Sequence, residues 1–127
     1  MTESFDAEHG LVIVRALLWG PTSNAVARLA LDTGASRTLI NTRFLLAMGY
    51  QRDRTENRIQ ITTGSGIELV ETVRISQVRV LGKTITNFSV LSHNLPPTAA
   101  VDGLLGLDLL RRRRLTLDFR RSTVTLT

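Results

Sequence analysis

The sequence predicts an all-β fold, a closed barrel-like sheet with one or two short helices. Three observations predict it. Apolar and β-branched residues fall in many short runs rather than long periodic ones. Turn-forming clusters such as "PTSN", "GSG" and "NLPP" punctuate those runs. Only two stretches, 41–50 and 107–114, read as helix. Short strands this frequent are best accommodated by a sheet that closes on itself. The 127 residues suit one domain with one core, and 43% hydrophobic content is enough to fill it. Aromatic residues make up only 5%, so that core is built from Leu, Val, Ile and Ala.

The elements follow in order. Residues 1–10, "MTESFDAEHG", are acidic and polar and are expected to be a flexible segment, leaving 11–127 as the domain. "GLVIVRALLWG" (10–20) and "AVARLAL" (25–31) read as a hairpin around "PTSN". "RTLI" (37–40) is a short strand. "NTRFLLAMGY" (41–50) is a short helix, with Asn41 able to cap its start and Gly49 at its stop. "RIQITT" and "IELVETVRI" flank "GSG" (64–66) as a hairpin with a flexible tip. "QVRVLGKTITNFSVL" (77–91) reads as two strands around Gly82-Lys83, and "NLPPTAA" (94–100) as an irregular loop. "VDGLLG" (101–106) is a turn leading into a buried apolar pair. "LDLLRRRR" (107–114) reads as a helix, and "LTLDF" and "TVTL" as a closing hairpin.

Composition removes several chemistries. There is no cysteine, hence no disulfide, thiol nucleophile or thiolate-metal site. His9 and His93 lie far apart without carboxylate spacing, which disfavours a histidine metal site or a Ser-His-Asp triad, and no metal or cofactor is expected. No apolar run approaches the ~20 residues that span a bilayer. The N-terminus does not resemble a secretory signal, and a cytoplasmic location is expected. The net charge of +5 is nearly all arginine, densest at Arg111–Arg114. Without interleaved aromatics for base stacking, this run reads as a solvated helix end rather than a nucleic-acid surface.

Chemistry concentrates at "LALDTGASRT" (29–38). An apolar strand stops at Asp32-Thr33-Gly34, small Ala35 and Ser36 follow, and the chain then re-enters a strand. Asp before Gly is common in turns. Some 70 residues later Leu104-Leu105-Gly106 repeats an apolar-apolar-Gly pattern and leads into a helix. "TTGSGIE" (62–68) lacks the Gly-Lys-Ser/Thr of a phosphate loop and suits a mobile hairpin better.

"LALDTGASRTLIN" together with "DGLLGLDLL" resembles the retropepsin-like aspartic proteases, which include retroviral proteases, eukaryotic DNA-damage-inducible proteins and single-domain bacterial relatives. The similarity runs over about residues 11–126. It implies a homodimeric peptide hydrolase acting on an extended polypeptide. Asp32, Thr33 and Gly34 take the catalytic positions. Ala35, Ser36, Leu39, Thr63, Gly64, Ser65, Gly66, Ile67, Leu104 and Leu105 take substrate-contacting ones. The Thr33 hydroxyl resembles the one that bonds across the family dimer. Several retroviral enzymes place an Asp–Arg ion pair where this chain has Ser36 and Leu107, so those contacts do not carry over.

Metal-free peptide hydrolysis needs a base for water and an acid for the amide. Two carboxylates sharing one proton supply both. This chain has one Asp-Thr-Gly; Asp102 reads as a turn residue, and Asp108 and Asp118 lie in a predicted helix and strand. The second carboxylate would therefore be Asp32 of another copy, on a two-fold axis. Pepsin-like enzymes carry a hydroxyl where this chain has Ala35; its absence removes a bond favouring the charged form, so the expected optimum is mildly acidic. The alternative is an inactive fold of the same kind that dimerises or binds extended peptides.

Overall fold

The computed structural model describes residues 1–51, 58–64 and 66–127. Among the described residues, ten strands and two short α-helices follow one another in the order β1 (Thr2–Ser4), β2 (Ile13–Trp19), β3 (Asn24–Leu31), β4 (Leu39–Asn41), α1 (Thr42–Ala47), β5 (Arg58–Thr63), β6 (Gly66–Val80), β7 (Lys83–His93), β8 (Gly103–Leu105), α2 (Leu107–Leu110), β9 (Leu115–Asp118) and β10 (Thr123–Leu126). A 3-10 turn, Pro97–Ala99, lies in the loop before β8.

Six strands close a barrel in the order β2-β3-β8-β4-β7-β6, with β6 returning to β2 through Ala16↔Val80 to Trp19↔Gln77. Closure leaves no open edge within the ring. Most pairs are antiparallel, but β3–β8 and β4–β7 are parallel. Strand β5 stands outside the ring and, among the described residues, pairs with β6 alone. The expected all-β barrel with short helices is therefore the fold.

Alternation builds the barrel wall. Val14, Ala16 and Leu18 of β2 turn inward, and Arg15 points to solvent. Ile40, Ile75, Val80, Val90 and Leu105 meet them in the core, each at most 1% exposed. The β6–β7 turn has positive φ at both Leu81 (50°) and Gly82 (79°), the left-handed pair that suits a two-residue hairpin. The two strands read on either side of Ser76 form one continuous strand, β6.

Helix α1 starts as expected: the Asn41 side chain accepts from the Arg43 amide (3.2 Å), and Gly49 (φ 98°) follows the Met48 C-cap. Helix α2 is shorter than the predicted 107–114. Arg111 turns extended (ψ 142°) and Arg112 is left-handed (φ 65°), because Arg114 is drawn into pairing with Thr127 in both directions (2.9 and 3.0 Å). The four arginines thus form a turn rather than the cationic end of a helix.

The polar N-terminus is not free. Thr2–Ser4 add to β10, which pairs in turn with β9, in a second, three-stranded sheet. Phe5 is buried beneath it and meets Phe119 edge to face at 5.5 Å. One aromatic residue in a polar segment is enough to anchor it.

Candidate active site

The loop after β3 is fixed at its root and open at its tip. The Asp32 amide donates to the Leu105 carbonyl of β8 (3.0 Å), and the Leu31 amide to Val12 (2.8 Å). The chain then turns, with Ala35 N–H donating to the Asp32 carbonyl (3.2 Å) and Gly34 N–H to Asp32 Oδ1 (2.9 Å). This second bond orients the carboxylate. Asp32 and Ala35 are half-buried, and Thr33, Gly34 and Ser36 are exposed. No hydrogen bond occupies the Thr33 hydroxyl among the described residues.

Helix α2 buttresses this loop. Leu107 N–H donates to the Ala35 carbonyl (2.8 Å). Gly106 lies so close that an added Cβ would stand 2.5 Å from the Arg37 carbonyl carbon and 2.9 Å from the Ala35 oxygen. Glycine at 106 is thus a requirement of close approach. Behind the loop, Thr38 is only 2% exposed. Its amide donates to both Asp108 oxygens (3.0 and 2.9 Å), its hydroxyl donates to Asp108 Oδ1 (2.7 Å), and that hydroxyl accepts from Gly106 N–H (3.1 Å). Asp108 therefore joins the exit of the loop to α2. Sequence reading passed over both residues. The available signal was an acid in the first turn of the helix that follows Leu104-Leu105-Gly106.

Leu39 and Leu104 are half-buried neighbours, paired across β4 and β8. Leu105, expected beside substrate, is wholly enclosed and packs the barrel interior. The β5–β6 hairpin carries the other predicted contacts on a separate arm. Thr63 pairs with Gly66, Gly64 is exposed, Gly66 has φ 124°, and Ile67 is 70% exposed. Ser65 lies outside the described residues.

Asp102 is structural, its carboxylate accepting the Arg28 amide (2.8 Å), and Asp118 accepts the Arg120 and Arg121 amides (3.0 Å each). No cluster of three or more potential metal ligands occurs among the described residues. Among them, no helix is long and apolar enough to cross a membrane.

An oriented carboxylate on a tight loop, closed by an apolar-apolar-Gly strand, in a chain that also carries a glycine-tipped hairpin, agrees with the family comparison. Residues 23–112 match the model of the family described as "gag-polyprotein putative aspartyl protease". The chain belongs to this aspartyl protease family. Its fold is that of the retropepsins: a retropepsin-like aspartic protease from Rickettsia conorii superposes with a TM-score of 0.73 at 19% identity, over 99% of this chain and 88% of the other. No curated protein matches the sequence significantly.

Proposed function

We propose that the chain is a homodimeric aspartic endopeptidase whose site is assembled from two copies of Asp32. The observation that carries this reading is the half-site. One Asp-Thr-Gly is present. Its carboxylate is oriented by Gly34 N–H on a loop whose tip faces outward. A lone carboxylate cannot be base and acid at once, and a two-fold axis through the loop supplies the second.

In this mechanism one Asp32 is ionised and takes a proton from a water molecule. The protonated partner subunit's Asp32 donates to the scissile carbonyl. Water attacks, the tetrahedral intermediate forms, and the dyad returns a proton to the leaving nitrogen as the C–N bond breaks. The Gly34 N–H bond orients the carboxylate, and the exposed Thr33 hydroxyl is available to bond across the axis.

Substrate lies extended between the loop and the arm. Ala35, Ser36, Leu39 and Leu104 form the floor; Thr63, Gly64, Gly66 and Ile67 cover it and offer backbone groups to the peptide. Asp32→Asn tests the assignment. It should lower peptide cleavage about a thousandfold or more with an unchanged melting temperature. Undiminished cleavage, inhibited or not by a pepstatin-like compound, would refute it.

A further inference from the structure

Strand β6 changes partners along its length. Gln77–Val80 pair with β2, and Gly66–Glu71 pair with β5. Residues 72–76 lie between the two ladders. At Ser76 the β7 ladder also lapses, passing from Ile75↔Phe88 to Gln77↔Thr86, and the opposite residue Asn87 is left-handed (φ 51°). Buried Ile75 differs in parity from Val78 and Val80 on one side and from Val70 on the other, so the strand twists through this stretch. β6 thus leaves β2 at Ser76, stays in the barrel wall beside β7 through 72–75, and continues as the arm from Glu71.

Tyr50 occupies the gap. Its hydroxyl donates to the Trp19 carbonyl at the end of β2 (2.6 Å) and accepts the Ser76 amide (3.0 Å). Ser76 Oγ donates to the same carbonyl (3.0 Å). Tyr50 is itself held firmly. Its amide donates to Leu45 of α1 (3.1 Å), and the Met48 carbonyl accepts both the amide (3.2 Å) and the hydroxyl (3.0 Å) of Thr22. An added Cβ at Gly20 would stand 2.6 Å from the Met48 oxygen, so α1 ends flush against the β2–β3 turn. Helix α1 begins directly at β4, the strand that leaves the Asp32 loop. It is a strut between that strand and the root of the arm.

From this geometry we infer that Tyr50 is a positioning residue for substrate: its hydroxyl pins β6 at Ser76 and so sets the angle at which the arm leaves the barrel. The kinetic half of the inference rests on the proteolytic reading; the conformational half does not. Tyr50→Phe keeps the ring and deletes two of the three bonds.

The test combines hydrogen exchange by NMR with steady-state peptide cleavage. In Tyr50→Phe the Ser76 amide and the amides of 66–71 should exchange about tenfold faster, the equivalent of one hydrogen bond. Amides of Val14, Val80 and Val90 should keep their wild-type rates. KM should rise about fivefold to tenfold with kcat within about twofold, because the arm contributes to binding rather than to proton transfer. Wild-type exchange at Ser76, or a uniform rise across the barrel, overturns the inference. If the wild type cleaves no peptide, the proteolytic reading fails and the exchange data alone decide the hinge. If Tyr50→Phe does not fold, Ser76→Ala, which deletes one bond, decides: about threefold faster exchange over 66–71 supports the pin, and wild-type rates refute it.

Discussion

Replacing Asp108 with alanine should destabilise the chain by about 3 kcal/mol, although Asp108 is not itself an expected substrate contact. The figure follows from what the carboxylate satisfies. It accepts the Thr38 amide through both oxygens and the Thr38 hydroxyl through one, at a residue only 2% exposed. Each donor stranded in a buried position costs about 1–3 kcal/mol. The amide cannot turn elsewhere. Two such donors amount to about 2–6 kcal/mol, and because the hydroxyl can rotate toward another acceptor the sum falls in the lower half, about 3 kcal/mol. Out of a total stability of about 5–15 kcal/mol, this is a large loss. It should appear as a fall in Tm of about 12 °C. Asp108→Asn retains an acceptor oxygen and should cost only about 1 kcal/mol. Urea unfolding followed by far-UV circular dichroism measures both, with the m-value checked for constancy. Asp108→Ala within about 0.5 kcal/mol of wild type would refute the claim that this carboxylate ties the loop to α2.

Two further outcomes test the surroundings of Asp32. Gly106→Ala forces a Cβ to within 2.5 Å of the Arg37 backbone, so it should cost about 2–3 kcal/mol in the same unfolding assay; a neutral substitution would mean the loop yields freely. Thr33→Val should leave monomer stability within about 0.5 kcal/mol, since no bond to its exposed hydroxyl is present in the single chain. It should weaken self-association about tenfold in sedimentation experiments. An unchanged dimerisation constant would remove Thr33 from the proposed two-fold contact.

The elements most legible in the sequence were those specified locally. Asn41 and Gly49 bracket α1 by capping chemistry that acts within one turn. The β2–β3 and β9–β10 hairpins follow from alternation and turn residues. Asp32 stood out because a strand, a tight turn and a later apolar-apolar-Gly form a pattern together. What escaped depends on distant partners. Arg111–Arg114 continue a helical pattern, yet Thr127 pulls Arg114 into a ladder. The N-terminal segment is polar in composition, yet Phe5 finds Phe119 and Thr2–Ser4 find β10. Leu104 and Leu105 are alike as letters, and only the barrel decides that the second is enclosed while the first is half-buried. Tyr50 and Ser76, like Thr38 and Asp108, carry no local signal of their pairing, because each bond closes a long loop.

The central claim is that one catalytic site requires two chains, each contributing Asp32. The most direct test mixes wild-type chain with increasing amounts of Asp32→Asn at constant total concentration, allows subunits to exchange, and measures peptide cleavage. If both carboxylates are needed, activity falls with the square of the wild-type fraction, so that an equal mixture retains about a quarter of the rate. A linear fall, with about half the rate retained at equal mixing, would mean that a single chain holds a complete site and would contradict the account.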